Sequence, residues 1–427
     1  MLIEPAPRSS GKLFRCFMVS LTFLWLLLTT LGTLTGEKFI FMAKAAPSIL
    51  ILFILLIIIM VRKNVAQAEK ISHFQLLDPV MIYGIYLFWS LISLTLSITP
   101  RYNYWLGFGY LAFYVITLLI AGLLYSIFQN IQSIKQNENP LCYAAFLASS
   151  VLLIATLFAL ASKGFKTPDQ SQYMEAFFGA SGVGLLSICV TIYPLAYGWT
   201  ISRGFLFMLA AFLVFMGGSR TSLVSIFCAC LAVLFVKSKK LSLILLLIIF
   251  AALIASPKLI KYMQEDVFLM HDDYRGFQNL SGRIGIWQYS LKKIKEHPFM
   301  GSGFRMSDFE LRKDIGISSA HNAYLTSLLE TGIVGTALML LAVLTAYWRM
   351  LKGALRSQDK TCLFYFGVIS ASLLFAMGER FLINVGNPTS ILLIFSLFYS
   401  RLLPFSQKTR LTDTSKEPEL LLTKAHI

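Results

Sequence analysis

Apolar runs recur along this chain at short intervals, and they limit what it can fold into. Twelve are read, at 17–34, 46–61, 79–98, 104–127, 143–161, 180–199, 203–217, 221–236, 241–256, 323–346, 362–380 and 387–403. A hydrocarbon core about 30 Å thick needs roughly 20 apolar residues per crossing helix, so repeated runs of this length predict a polytopic helical membrane protein. Composition agrees. Hydrophobic residues make up 57% of the chain and charged residues 14%, against about 25% charged in soluble domains, and mean hydropathy is +0.71. The period-two alternation of a membrane barrel is absent. The expected fold is all-α, with about twelve transmembrane helices and one large loop containing short amphipathic helices.

Basic residues in the short connections orient the bundle. With the amino terminus inside, the inner connections carry Arg62, Lys63 and Lys70, then Lys237, Lys239 and Lys240, then Arg349, Lys352, Arg356 and Lys360. The tail adds Arg401, Lys408 and Arg410, while the outer connections hold one or two basic residues each. That bias puts both termini in the cytoplasm. The start of the chain resembles a signal sequence (Arg8, Lys12 and Arg15 before an apolar run, then Ala43-Lys44-Ala45). The run is too long for a signal core and a second span follows, so an uncleaved first span is expected. The chain then divides into a bundle of nine spans (1–256), an outer loop (257–322), three further spans (323–403) and a polar cytoplasmic tail (404–427).

The net charge of +16 does not point to nucleic acid. The basic residues are scattered through short loops, and no soluble domain is left to carry a basic face. Topology bias, anionic lipid or an anionic membrane substrate accounts for them better. The six cysteines, Cys16, Cys142, Cys189, Cys228, Cys230 and Cys362, lie in or beside apolar runs, which supports neither a disulfide framework nor a zinc site. His271-Asp272-Asp273 is read as a solvated turn rather than a metal site. With no Walker loop, nucleotide fingerprint or G-x-S-x-G element, no cofactor is implied.

Polar residues concentrate in the outer loop and its flanks. Ile284, Trp287, Leu291 and Ile294 recur at helical spacing, which predicts an amphipathic helix that Ser281 can cap and Pro298 ends, with Lys292, Lys293 and Lys295 on its other face. Gly301 and Gly303 allow a turn. Ser318 or Ser319 is expected to cap the tenth span, which would put His321 in that helix's first turn. Arg220 sits between two short runs beside Gly217, Gly218 and Ser219; it is either an interfacial anchor or an anion ligand, since a guanidinium fork matches phosphate oxygens. Arg283 opposes its helix dipole unless an anion binds there, when dipole and guanidinium act together. His321 either caps its own helix or, kept neutral at a helix amino terminus, accepts a proton from a hydroxyl. Asn322 and Tyr324 orient substrate or simply cap and pack. Glu330, and Glu379 next to Arg380, are ionisable groups at membrane depth, where such groups mark a site or a pairing. Glu379 either pairs with Arg380 or reaches toward the outer site as a supporting residue, and the structural pairing is the leading expectation.

Three motifs together resemble the O-antigen ligase and polymerase superfamily: Gly218-Ser219-Arg220-Thr221, then Ser281-Gly282-Arg283 with Trp287, Pro298, Gly301 and Gly303, then His321-Asn322 with Leu325, Glu330, Gly332 and Gly335. The resemblance implies a glycosyltransferase of the bacterial inner membrane with its site on the periplasmic face. The donor would be a glycan linked to undecaprenol through diphosphate. The acceptor would be lipid A–core oligosaccharide for a ligase, or a second lipid-linked glycan for a polymerase of O-antigen or exopolysaccharide. It further implies that Arg220 and Arg283 hold the diphosphate, that His321 activates the acceptor, and that transfer is inverting and independent of metal and nucleotide. A ligase is the leading expectation and a polymerase the alternative. A polysaccharide transporter is disfavoured, because neither a repeat nor a broken helix near the midplane is visible.

Overall fold

The computed structural model describes residues 8–31, 40–61, 78–97, 104–131, 139–162, 180–217, 219–244, 246–247, 283–317, 319–380, 382, 388–401 and 403. Among them the chain is helical and contains no strand. In order the helices are α1 (Arg8–Leu31), α2 (Ile40–Val61), α3 (Pro79–Thr95), α4 (Tyr104–Ile131), α5 (Pro140–Ser162), α6 (Ala180–Tyr197), α7 (Ile201–Met216), α8 (Arg220–Lys237), α9 (Arg283–Glu296), α10 (Ser307–Ile315), α11 (Ala323–Ser357), α12 (Lys360–Phe375) and α13 (Pro388–Arg401). Four segments, Trp105–Ile127, Pro140–Ser162, Arg220–Lys237 and Ala323–Ser357, are long and apolar enough to cross a membrane, and seven shorter apolar helices stand beside them. The chain is a multi-pass membrane protein. Most of the expected ninth span (241–256) falls outside the described residues, as do Ser281, Ser318, the His271-Asp272-Asp273 turn and the tail from 404 onward.

Local chemistry starts several of these helices where the sequence turns apolar. Asp78 caps α3 just ahead of Pro79, Ser219 caps α8, and Asp359 caps α12, each satisfying backbone donors that a helix start leaves open. In lipid there is little hydrophobic drive between helices, so close contact of small residues matters. Gly184 of α6 lies against Ser222 of α8, where a Cβ would overlap the hydroxyl.

Contacts sort the helix ends into two sets. At one end Arg401 Nε pairs with Asp78 at 2.6 Å, Tyr399 donates to Asp359 at 2.8 Å, and Lys237 Nζ donates to the Leu195 carbonyl at 3.1 Å. At the opposite end the starts of α6, α8 and α11 meet the finish of α12.

The tenth span was expected to be continuous, and it is not. Gly332 has φ 65° and ψ −169°, which breaks α11. Thr336 Oγ1 donates to Ser327 Oγ at 3.0 Å across nine residues, which in a straight helix would lie about 13.5 Å apart, so the two arms fold sharply against each other. Residues 298–303 fill the break. Ser302 N–H donates to the Leu329 carbonyl (2.7 Å), Gly303 N–H to that of Glu330 (3.2 Å) and Ile333 N–H to that of Pro298 (2.8 Å). From α3, Ser93 Oγ reaches the Glu330 carbonyl at 2.6 Å and Trp89 Nε1 that of Thr331 at 3.0 Å. Backbone groups freed by the break are thus satisfied within the protein, as hydrocarbon demands. Ser93 lies two residues from the end of α3, so the break sits near one end of the bundle and not midway, and it does not revive the transporter.

Candidate functional site

Four elements converge at the end of the bundle opposite Asp78 and Arg401: the starts of α8, α9 and α11 and the residues that follow α12. Their meeting point is Gly378-Glu379. Arg283, the first residue of α9, donates from Nη1 to the Gly378 carbonyl at 2.6 Å and from Nη2 to Glu379 Oε1 at 3.1 Å. Ser181, at the start of α6, donates to the same Oε1 at 3.0 Å. The other carboxylate oxygen, Oε2, lies 3.6 Å from His321 Nδ1. That is too long for a hydrogen bond and becomes an ion pair only when the ring carries a proton. Glu379 is 12% exposed and the imidazole 42%, so a mostly buried carboxylate presents an accessible ring.

Glu379 was expected to pair with its neighbour Arg380. It does not. Consecutive residues point different ways, and Arg380 turns instead to Asp308. Arg283 and Thr221, the residue after Arg220, pack against the same glycine. Arg220 is half-buried at the first position of α8, and the next residue, Thr221, lies against Gly378. A Cβ on Gly378 would come within 2.5 Å of Thr221 Oγ1 and 3.0 Å of Arg283 Nη1. Only a residue without a side chain lets α8 and the Arg283 guanidinium close on the same spot.

His321 was placed in the first turn of its helix, and here too the structure differs. Asn322 is the cap: its Oδ1 accepts from Tyr324 N–H (2.9 Å) and Leu325 N–H (3.0 Å), and its Nδ2 donates to the Met377 carbonyl at 3.0 Å. His321 precedes the cap with φ 47°, a left-handed conformation that a non-glycine residue holds only when its surroundings impose it. They do so through three bonds: His321 N–H donates to Ser319 Oγ (3.1 Å), Trp287 Nε1 to the Ala320 carbonyl (3.0 Å), and Ala323 N–H to the Ala376 carbonyl (2.8 Å). The charge facing the ring is thus the Glu379 carboxylate, where helix dipole and arginines had been expected.

The other named residues divide. Ser219 caps α8 and hydrogen-bonds Ser222 at 2.7 Å. Tyr324 donates to the Leu373 carbonyl at 2.7 Å and joins α11 to α12. Both serve the scaffold. Glu330, 1% exposed, lies away from Glu379 and accepts from Ser307 Oγ at 2.6 Å. In α9 the inward residues are Ile286 and Ser290, while Leu291, expected inside, is 49% exposed. Tyr289 donates to Asp314; burial and this bond push the Tyr289 phenol up to about 12, and the same bond holds Asp314 below its ordinary value. Gly378, Ser181 and Asp308 escaped sequence reasoning; Arg305 reads in the sequence only as a basic loop residue that draws in acidic groups or is solvated, whereas its side chain is 7% exposed. Only the Gly-Glu-Arg run closing an apolar span hinted at the first.

Comparison with known proteins bears on this end of the bundle. Residues 205–340, about a third of the chain, match the O-Antigen ligase family. The "Exopolysaccharide production protein ExoQ" of Rhizobium meliloti (strain 1021) is 28% identical over 130 residues. That alignment covers 27% of this chain and 30% of the relative, so the chain matches less than a third of the relative's length. The matched family segment contains Arg220, Arg283 and His321, and the resemblance to the O-antigen ligase and polymerase superfamily read from those motifs is supported.

Proposed function

We propose, starting from the similarity of residues 205–340 to the O-Antigen ligase family, that this protein is a glycosyltransferase of the bacterial inner membrane. It takes a glycan from undecaprenyl diphosphate and passes it to lipid A–core oligosaccharide at the periplasmic face. The observation that carries the reading is the single carboxylate of Glu379, which faces Arg283 on one oxygen and His321 on the other, beside the start of α8.

In this reading Arg220 and Arg283 hold the diphosphate. Arg283 has five N–H donors in a planar fork, so the bonds to Gly378 and Glu379 orient it while others face the anion. The acceptor hydroxyl gives its proton to His321, its oxygen bonds to the anomeric carbon, and the bond from that carbon to the diphosphate oxygen breaks. The undecaprenyl diphosphate departs as an anion stabilised by the two guanidinium groups. Glu379, next to Nδ1, orients the ring and stabilises the imidazolium that forms, which leaves Nε2 for the hydroxyl. Attack opposite the leaving group inverts the sugar. Cleavage of the bond from the sugar to its diphosphate leaving group supplies the energy, so the step as drawn calls on neither nucleotide nor metal.

A second reading has its own support. The exopolysaccharide relative favours a polymerase, in which the acceptor is another lipid-linked glycan and the same residues act. One experiment separates the two. Purified protein in nanodiscs receives undecaprenyl-diphosphate-linked glycan and lipid A–core, and the products are resolved on a gel. A polymer ladder on lipid A–core, lost in His321→Ala and Arg220→Ala, supports the ligase. Lengthened lipid-linked glycan with unmodified core supports the polymerase. Movement of glycan across vesicles without any new glycosidic bond would overturn both.

A further inference from the structure

A second charged cluster lies directly behind Glu379, and the transfer step above makes no use of it. Arg380 Nη1 pairs with Asp308 Oδ1 at the start of α10. Asp308 Oδ2 lies 3.9 Å from Arg305 Nη2. Arg305 is held unusually firmly: its side chain is 7% exposed, its guanidinium stacks 4.2 Å above the Tyr110 ring, and its backbone is left-handed, with φ 64°. Burial opposes its charge, yet Asp308 and Glu330 beside it keep Arg305 above its ordinary value. Glu330 in turn accepts from Ser307 Oγ, next to Asp308, and belongs to the arm of α11 that ends at the Gly332 break.

These contacts form a continuous path from the break in α11 to the site. Glu330 and Arg305 fix the 303–308 segment, Asp308 grips Arg380, and Arg380 is covalently joined to Glu379. The Gly378 and Glu379 N–H groups are tied back to the Phe375 carbonyl at 3.1 and 3.0 Å, which fixes the backbone after α12 but leaves the direction of the Glu379 side chain to be set by other contacts. A charge-assisted bond one residue away does that more firmly than packing alone. A strained residue held by two carboxyl groups and an aromatic ring also marks a point that the fold over-determines.

We infer that Asp308 is a positioning residue for glycan transfer. By holding Arg380 it fixes the Glu379 carboxylate between Arg283 and His321, with Arg305 and Glu330 anchoring Asp308 from behind. The inference rests on the reading of His321 as the proton acceptor only for its kinetic consequence; the geometric consequence stands without it.

The test therefore uses two readouts on the full chain in nanodiscs. Transfer is measured from undecaprenyl-diphosphate glycan, and the rate of His321 modification by diethyl pyrocarbonate is followed by mass spectrometry, with His297 as internal reference. Asp308→Asn and Arg380→Gln should each lower kcat about tenfold with little change in donor KM, because displacing a catalytic group by a fraction of an ångström costs rate more than binding. Each should also change His321 labelling by about threefold or more, and Asp308→Glu, which keeps a carboxylate for both Arg305 and Arg380, should recover much of both. Arg380→Lys, which keeps the charge but not the fork, should fall in between, and it remains informative if a harsher variant does not fold. Labelling and kcat equal to wild type in Asp308→Asn, or Asp308→Glu no better than Asp308→Asn, overturns the inference. If the wild type transfers nothing from this donor, the functional reading fails. The labelling rates then decide the positioning role alone: altered rates support it and unchanged rates overturn it.

Discussion

The two ends of the bundle are built to different standards. At the Asp78–Arg401 end the acidic side chains finish helices. Asp78 caps α3 and pairs with Arg401, and Asp359 caps α12 and accepts from Tyr399. The left-handed residue at this end, Gln358, is a helix C-cap, a place where that conformation is common. At the Glu379 end, Arg305 and His321 are left-handed outside any C-cap, α11 is broken at Gly332, and Glu330 Oε2 is buried without a hydrogen-bond partner among the described residues. A chain tolerates such departures where function requires them and follows local rules elsewhere. The contrast by itself directs attention to the Glu379 end.

The break in α11 is the most demanding of these departures and should give the largest effect when disturbed. A Cβ on Gly332 would overlap the Phe299 carbonyl, and φ 65° is costly for any other residue. Gly332→Ala should push residues 298–303 off the break and leave several carbonyls unpaired at membrane depth. Each unmet group costs about 1–3 kcal/mol, so most of the protein should lose its monodisperse peak after detergent extraction. Gly84, within α3, has nothing within 4 Å of its missing Cβ, and Gly84→Ala should extract like wild type. Equal behaviour of the two variants would show that the break is not structural.

Next in size come changes to the carboxylate itself. Glu379→Gln keeps the shape but removes the charge facing Arg283 and His321, and transfer should fall by about a hundredfold with stability nearly unchanged. Asp359→Asn at the opposite end keeps a good cap and should leave transfer intact. Similar losses in both would erase the distinction between the two ends. Gly378→Ala should have a milder effect, about tenfold, because the added methyl crowds Thr221 and Arg283 without removing any charge. A drop confined to donor KM would indicate that the crowding acts on the diphosphate alone.

Which of these features the sequence disclosed follows from how local their causes are. The helix starts at Pro79, Arg220 and Lys360 are set by a capping residue next to an apolar run, and so they are visible in the chain. The opening of α9 at Arg283 and its end before Pro298 are equally local. Gly332 is different. Glycine is frequent in transmembrane helices, and nothing near Thr331-Gly332-Ile333 shows that residues 298–303, some thirty positions earlier, will dock there. Leu291 has the right spacing to face inward, but α9 lies over the end of the bundle, where Ile286 and Ser290 make the contact. Arg380 beside Glu379 suggested a pair, yet each side chain found its partner about 70 to 100 residues away. Arg283 and His321 were named from motifs, whereas the carboxylate that joins them belongs to a separate segment beyond the motifs.

The smallest effect belongs to the best-formed ion pair on the opposite end. Asp78 Oδ2 and Arg401 Nε are 2.6 Å apart, with side-chain exposures of 13% and 35%. Water screens the arginine, so the pair is worth about 1 kcal/mol at most, in line with exposed pairs generally. Asp78→Asn removes the charge but keeps the acceptor that caps α3, where Asn ranks with Asp. The melting temperature in nanodiscs should therefore fall by only a few degrees, with more of the difference visible at low salt than at high salt. Transfer rates should not move, because the bonds of α3 to the α11 break run through Trp89 and Ser93 near its other end, away from Asp78. A rate loss in Asp78→Asn comparable to that in Gly378→Ala would mean that the two ends of α3 are mechanically coupled, and that the end built by ordinary rules also takes part in transfer.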